Sequence, residues 1–139
     1  DAQRKSDLAN VARALEMYYN DNQSYPASGN GLIQVDRGGS LVNLNWGSEF
    51  STDEVIYMKI LPQDPHSDDG VDYCYESNAS GSYYRLFAKL ENNQDPNFFD
   101  EDDDGVGDYT CYDSDDTPYD GYSYGLSSSN VAVDRDAGL

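Results

Sequence analysis

Residues 1–26, with the sequence DAQRKSDLANVARALEMYYNDNQSYP, decide the fold that we predict for this chain. Their apolar residues recur at every third or fourth position: Leu8, Val11, Leu15 and Tyr18. This periodicity is typical of a helix that buries one face. Because residues 20–22 are poor helix formers and Pro26 favours extended backbone before it, we expect the helix to end near residue 22.

The predicted helix has a polar face but no clear start. The face opposite the apolar stripe carries polar residues: Arg4, Asp7, Asn10, Arg13 and Asn20. No Ser, Thr or turn signal precedes the helix, although Asp1 could serve as a weak N-cap. We therefore expect residues 1–24 to be the second half of a longer helix.

Strand patterns follow in residues 55–91. Residues 55–60 predict a short strand, which the prolines of residues 61–65 end. Apolar and polar residues alternate in 71–76 and again in 83–90, on either side of a turn-forming segment, which predicts an antiparallel hairpin. Residues 119–126 are a candidate for a further strand. We interpret residues 25–54, which contain several glycines and the single tryptophan, as a structured connecting segment.

The charge of the chain excludes one class of partner. The 139 residues include 27 Asp and Glu against 8 Lys and Arg, which gives a formal net charge of −19. This charge repels a phosphate backbone, so we expect no nucleic-acid binding. The chain has one histidine and no G-x-S-x-G or glycine-rich phosphate loop, so we expect no enzymatic activity. Thirteen tyrosines can build a core in a chain with few aliphatic residues.

The two cysteines, Cys74 and Cys111, favour a single disulfide in an exported protein. Two reduced thiols are the alternative. The sequence has no run of 18 apolar residues that could span a membrane and no signal-peptide pattern. If the protein is exported, we expect its targeting segment to have been removed.

The sequence of residues 1–26 resembles the end of the stem helix in type IV pilins and in type II secretion pseudopilins. The Leu-Pro-x-Asp-Pro motif at 61–65 and the tyrosine-rich hairpin that ends at Leu90-Glu91 are similar to the same superfamily. The resemblance implies an α+β fold, in which a long N-terminal stem helix packs on a small antiparallel β-sheet. We expect one domain over residues 1–139, with four parts: stem helix 1–24, connecting segment 25–54, sheet 55–91, and acidic C-terminal region 92–139.

The resemblance also implies a function in a filament. Other pilin subunits would bind through the stem helix, and an N-terminal segment preceding residue 1 would anchor the subunit in a bacterial inner membrane before assembly. The filament would lie outside the cell, at its surface. We expect a structural subunit of a type IV pilus, because a disulfide-closed region is more typical of pilins. The alternatives are a pseudopilin of a type II secretion system and a calcium-dependent adhesive module on a pilin stem.

Residues 100–108, DEDDDGVGD, contain the pattern D-x-D-x-D-G-x-x-D. Carboxylates at this spacing converge inside a tight loop and can bind a hard cation such as Ca²⁺. The candidate ligands are Asp100, Asp102, Asp104, the carbonyl of Val106, and Asp108. The pattern resembles the start of an EF-hand loop and, more closely, the calcium repeats of thrombospondin type 3.

The pattern lacks the last ligand of an EF-hand loop. Cys111 occupies the twelfth loop position, where an EF-hand has glutamate. Candidates for the missing ligand follow this cysteine: Asp113, Asp115 and Asp116. The alternative is an acidic loop that is simply solvated, as most charge runs are. We expect Ca²⁺ to stabilise the C-terminal region together with the disulfide.

Overall fold

The computed structural model describes residues 1–113 and 116–134. Within them, one α-helix, α1 (Ala2–Asn22), precedes ten short strands that form four antiparallel sheets. This arrangement confirms the predicted α+β class. In the described part of the chain, no helix is both long enough and apolar enough to cross a bilayer.

Helix α1 packs on the sheets through the predicted apolar stripe. Its buried apolar residues are Leu8, Val11, Ala14 and Leu15. The helix ends at Gln23, whose backbone is left-handed with φ of 65° and whose N–H donates to the Tyr19 carbonyl at 2.8 Å. Asp1 stands at the N-cap, but its carboxylate accepts hydrogen bonds from the N–H groups of Glu91 and Asn92.

The polar face of the helix differs from the prediction at two positions. Arg4 and Asp7, which the sequence pattern placed on this face, are 2% and 5% exposed. Arg4 is buried because it pairs with Asp64, and the Asp7 carboxylate accepts a 2.6 Å hydrogen bond from the Tyr73 hydroxyl. Helical periodicity carries no information about such distant partners.

Residues 25–54 form more than a connecting segment. Three strands, β1 (Ala27–Gly29), β2 (Leu32–Arg37) and β3 (Ser40–Leu44), pair in that order. Two-residue loops join them at 30–31 and 38–39, and all four loop residues have positive φ. Asn-Gly and Gly-Gly loops of this kind are the preferred connections of hairpins. The sequence therefore held a signal for this sheet.

Strand β4 (Phe50–Ser51) pairs with β5 (Ile56–Met58). Strand β5 lies within the strand predicted at residues 55–60 but is shorter. The predicted hairpin is confirmed as β6 (Cys74–Ser77) and β7 (Tyr84–Ala88), with Tyr75 opposite Leu86. Both strands are shorter than the alternation indicated. The hairpin forms a three-stranded sheet with β7 in the centre.

The candidate strand at 119–126 is divided into two. Strand β9 (Pro118–Tyr122) pairs with β8 (Tyr109–Tyr112), and β10 (Tyr124–Ser127) pairs with β7. Ser123 separates β9 from β10, because its N–H donates to the Ala88 carbonyl and its hydroxyl accepts from the Leu90 N–H. One alternating stretch thus serves two sheets.

Cysteines 74 and 111 form the predicted disulfide, which connects β6 to β8. The sulfur atoms lie in a small cluster with Phe87 and Tyr122. The main core lies between α1 and the sheets and contains several tyrosine rings: Tyr25, Tyr57, Tyr73, Tyr75 and Tyr84. Tyrosine therefore supplies much of the buried surface in this chain, as the composition indicated.

Candidate metal site

The acidic loop brings four carboxylates together. Each of Asp100, Asp102, Asp104 and Asp108 offers an oxygen, and these oxygens lie within 4.8 Å of one another. Among the described residues they are the group with metal-binding geometry. The donors are all carboxylate oxygens, which suit a hard cation such as Ca²⁺; structural zinc sites are built mainly from sulfur and imidazole ligands.

Hydrogen bonds inside the loop bend its backbone around the Asp100 side chain. The Gly105 N–H donates to Asp100 Oδ2 at 2.8 Å, and the Asp104 N–H donates to Oδ1 at 3.3 Å. The Val106 N–H donates to Asp104 Oδ1 at 2.9 Å. Gly105 has φ of 81°, and Asp103 also has a left-handed backbone with φ of 57°. Short polar residues and glycine tolerate this conformation, so the local sequence permits the tight turn.

The base of the loop is attached to the neighbouring strands. The Asp108 N–H donates to the Phe99 carbonyl at 3.0 Å, and the Phe99 N–H donates to the Ser123 carbonyl at 2.7 Å. The rings of Phe99 and Tyr109 stack with centroids 4.1 Å apart. The sequence pattern identified the four clustered carboxylates but did not reveal this attachment, which depends on residues outside the motif.

Gly107 lets the loop approach strand β9 closely. A Cβ atom at this position would lie 2.3 Å from the Tyr122 carbonyl oxygen. A side chain would therefore push the loop away from the strand. The second glycine of the DGVGD sequence is thus explained by backbone contact with β9, which ends at this tyrosine.

The crowded carboxylates alter one another's protonation. A hydrogen bond with Asp100, partial desolvation and the nearby Asp104 and Asp108 raise the pKa of Asp102 to about 6. Desolvation also acts on Asp100, but hydrogen bonds from the Gly105 N–H and Asp102 outweigh it and lower the pKa of Asp100. A proton bridging two carboxylates relieves their repulsion, and a cation could occupy the same position.

The three candidates for the last ligand have different positions. Asp115 lies outside the described residues. Asp113 is buried, and its carboxylate accepts hydrogen bonds from the Asn30 N–H at 2.7 Å and the Tyr119 hydroxyl at 3.4 Å. Asp113 and Asp116 line a different cleft, beside β1 and β6. The structure therefore does not bring these two residues into the group of four carboxylates.

Comparison with known families shows the family to which the chain belongs. The sequence model for the family described as type II secretion system (T2SS), protein G, matches residues 1–106. The chain belongs to this family. The T2SS protein G family consists of pseudopilins, so its match confirms the predicted pilin and pseudopilin superfamily. It supports the predicted alternative, a secretion subunit, better than a pilus subunit. No curated protein and no solved structure matches the chain.

The T2SS protein G match runs from α1 into the acidic loop and ends at residue 106. It therefore covers Asp64 of the Leu-Pro-x-Asp-Pro motif, but Asp108 and Cys111 lie beyond it. Membership of the family implies assembly with other pilin-like subunits into a filament outside the inner membrane, and it points to a structural subunit rather than an enzyme.

Proposed function

We propose that this protein is a subunit of a type II secretion pseudopilus, a short filament that pushes secreted cargo outward. The family match over residues 1–106 is the observation that carries this proposal. The architecture is consistent with it, because α1 buries one face against the sheets and leaves its opposite side, which includes Met17, exposed to solvent. An exposed helix side is what a stem needs for contact with neighbouring subunits.

The disulfide does not favour a pilus over a pseudopilus. It links β6 to β8 and would stabilise any domain outside the cytoplasm. The argument that led from the disulfide to a type IV pilus is therefore weaker than the family match. The calcium-dependent adhesive module is not part of the proposal.

The secretion role can be tested by deleting the gene in the organism that encodes this chain. We expect the secreted proteins to be lost from the culture medium while surface pili remain. Reintroduction of the wild-type gene should restore secretion. If pili disappear and the secreted proteins remain, the protein is a pilus subunit and the proposal is wrong.

We further propose that the acidic loop binds Ca²⁺ and that the ion stabilises the C-terminal part of the fold. Four carboxylates within 4.8 Å repel one another strongly unless a cation neutralises them. Ca²⁺ takes six to eight oxygen ligands in flexible geometry. The ligands would be the side chains of Asp100, Asp102, Asp104 and Asp108, the Val106 carbonyl, and water.

Bound Ca²⁺ would hold the acidic loop in place beside the β8–β9 hairpin, which carries Cys111 of the disulfide. The loop is closed by the bond between Asp108 and Phe99, and Phe99 is in turn hydrogen-bonded to Ser123 at the junction of β9 and β10. Neutralising the carboxylates would therefore stabilise the β8–β9 hairpin as well as the loop. This makes the ion a structural component rather than a catalytic one.

Calorimetric titration of the chelator-treated protein tests Ca²⁺ binding directly. We expect the wild type to bind Ca²⁺ and the Asp102→Asn/Asp104→Asn variant to lose binding. Asp103→Asn is the matched control, because it removes one charge from the same loop and asparagine tolerates the left-handed backbone there. If the ligand variant binds as well as the control, the loop is only a solvated acidic segment.

A further inference from the structure

Strand β5 and the residues beside it leave apolar side chains in contact with solvent. The exposed fractions are 36% for Val55, 54% for Ile56 and 68% for Ile60. The chain has only three isoleucines, so two of them are exposed on this one segment. Single exposed apolar residues are normal, but a cluster of them is typical of an interaction site. We call Val55, Ile56, Lys59 and Ile60 the β5 patch.

Strand β5 is attached to the rest of the fold by a different side chain. Tyr57 is buried, and its ring centroid lies 5.3 Å from that of Tyr18 on α1. The Tyr57 hydroxyl donates a 2.8 Å hydrogen bond to the Asp21 carboxylate. Because successive side chains of a strand point to opposite faces, this attachment directs Ile56 away from α1. The β5 patch therefore lies beside the C-terminal end of the helix and faces solvent.

The β5 patch also carries a positive charge, in a chain with a net charge of −19. Lys59 is exposed, and its ammonium has no hydrogen bond or ion pair among the residues that the structure describes. Lys5, by contrast, pairs with Asp95. Contacting protein surfaces are arranged so that charges of opposite sign meet. The β5 patch is thus complementary to a partner that presents carboxylates beside an apolar side chain.

The acidic loop of the same protein presents this combination. Residues 101–106 are all exposed, and they include the apolar side chain of Val106. Glu101 and Asp103 do not belong to the four clustered carboxylates, so Ca²⁺ bound by those four would leave both charges available. The Glu101 carboxylate has no hydrogen bond or ion pair within residues 1–113 and 116–134.

The β5 patch and the acidic loop are attached to opposite ends of α1. Lys5, at the start of the helix, lies 2.8 Å from the carboxylate of Asp95, in the segment that leads into the loop. Tyr57 contacts Asp21, near the helix end. At about 1.5 Å per residue, Lys5 and Asp21 are about 24 Å apart along the helix axis. Two subunits stacked along this axis would bring the loop of one beside the patch of the other.

We propose that the acidic loop of one subunit binds the β5 patch of a second copy of this chain. Glu101 would pair with Lys59, while Val106 packs on Ile56 and Ile60. The two surfaces differ, so the contact is head-to-tail and can continue from subunit to subunit along a filament. The inference rests on the proposed filament and names the surfaces that join its subunits. It does not require Ca²⁺ in the loop.

Carbodiimide cross-linking tests this contact, because the reagent joins an amine to a carboxylate that it touches. Filaments should be sheared from cells that overproduce the protein, treated with the reagent, and separated by size under denaturing conditions. We expect covalent dimers in which mass spectrometry finds Lys59 joined to the acidic loop. Lys59→Arg is the matched control, because it retains the charge and the filament but removes the reactive amine. Lys5 and Asp95 should cross-link within one subunit and verify the reaction.

Charge exchange tests the contact without a reagent. Lys59→Glu and Ile60→Asp should each reduce the yield of filaments and of secreted proteins. Adding Glu101→Lys to Lys59→Glu should restore both, because the pair is re-formed with its charges exchanged. Lys89→Glu is the matched control, since this exposed lysine lies outside the β5 patch. Circular dichroism should show that all of these surface variants are folded.

Three results would overturn the inference. The first is a cross-link between Lys5 and Asp95 in wild-type filaments without any dimer that joins Lys59 to the acidic loop. The second is equal filament yield for Lys59→Glu, Ile60→Asp and Lys89→Glu. The third is a charge-exchanged variant that is no better than Lys59→Glu alone. None of these results would affect the secretion role. Loss of pili instead of secretion on gene deletion would refute that role, and the cross-link could still be measured in the pili.

Discussion

Arg4 and Asp64 form a buried two-point ion pair: Arg4 Nε lies 2.9 Å from Asp64 Oδ2, and Nη2 lies 3.0 Å from Oδ1. The two residues are 60 positions apart in the chain. Asp1 and Glu91 also contact the guanidinium, at 3.0 and 3.1 Å. The pair therefore attaches the first turn of α1 to the Leu-Pro-x-Asp-Pro segment, which explains why the motif contains an aspartate.

Replacing Asp64 with alanine should strongly destabilise the fold. Removing one partner of a buried ion pair costs about 3–5 kcal/mol, because the other charge stays buried. We expect a loss of about 3 kcal/mol, since Asp1 and Glu91 still contact Arg4. Urea unfolding followed by circular dichroism measures the change, with Glu54→Gln as the control. Equal free energies of unfolding for Asp64→Ala and the control would disprove the structural role of the pair.

Removing the disulfide should have a similar effect. Cys74 and Cys111 are separated by 37 residues, and closing a loop of this size stabilises a fold by about 3–4 kcal/mol in the chain-entropy model. The Cys74→Ala/Cys111→Ala double variant should therefore unfold at lower urea concentration than the wild type. An unchanged unfolding midpoint would show that the bond contributes nothing to stability.

The buried tyrosines should make the protein sensitive to alkali. Burial, together with the nearby Glu16 carboxylate, raises the pKa of Tyr84 to about 12, and burial also raises the pKa values of Tyr75 and Tyr122. The folded state thus retains protons that the unfolded chain loses near pH 10. Stability is present in full below pH 10 and decreases as the pH rises towards 12.

Absorbance at 295 nm, recorded together with circular dichroism, tests this pH dependence. The buried tyrosines should ionise only as the helix signal disappears, and Tyr84→Phe should move the transition to higher pH. Ionisation of all thirteen tyrosines near pH 10 without unfolding would contradict the burial that the structure shows.

A methyl group at Gly107 should damage both the loop and the hairpin beneath it. The added Cβ would lie 2.3 Å from the Tyr122 carbonyl oxygen, and overpacking of this kind costs about 1–3 kcal/mol. Gly107→Ala should therefore unfold more easily and bind Ca²⁺ more weakly. Gly70→Asn is a suitable control, because a Cβ there meets no atom within 4 Å and asparagine tolerates its positive φ. Equal stability of the two variants would argue against close contact between loop and strand.

The sequence predicted those parts of the fold that depend on local patterns. The stripe from Leu8 to Leu15 identified the buried face of α1, and alternation identified the β6–β7 hairpin. The spacing of the aspartates identified the four clustered carboxylates, because these residues lie within one short loop. The Asn30-Gly31 loop and the alternation of Ile33 and Val35 with polar residues in β2 also carried a local signal for the first sheet, which the interpretation of residues 25–54 as a connecting segment missed.

Other features depend on contacts between distant segments. Arg4 looked like a surface residue, since its partner Asp64 is on another element. Asp113 was a candidate metal ligand because it lies close to the acidic loop in sequence. The sequence does not show that its carboxylate accepts a hydrogen bond from the Asn30 N–H instead. The attachment of Phe99 to Ser123 similarly joins residues whose proximity only the folded chain creates.

Thermal unfolding with and without Ca²⁺ tests most directly the claim that Ca²⁺ stabilises this fold. Extracellular calcium sites have dissociation constants of about 10⁻⁴–10⁻³ M, so 1 mM Ca²⁺ should add about 0.4–1.4 kcal/mol of stability. For a domain of this size, the melting temperature should rise by about 1–5 °C. We expect this rise in the wild type and in Asp103→Asn, and none in Asp102→Asn/Asp104→Asn. Identical melting temperatures in Ca²⁺ and in excess chelator for all three proteins would contradict the account.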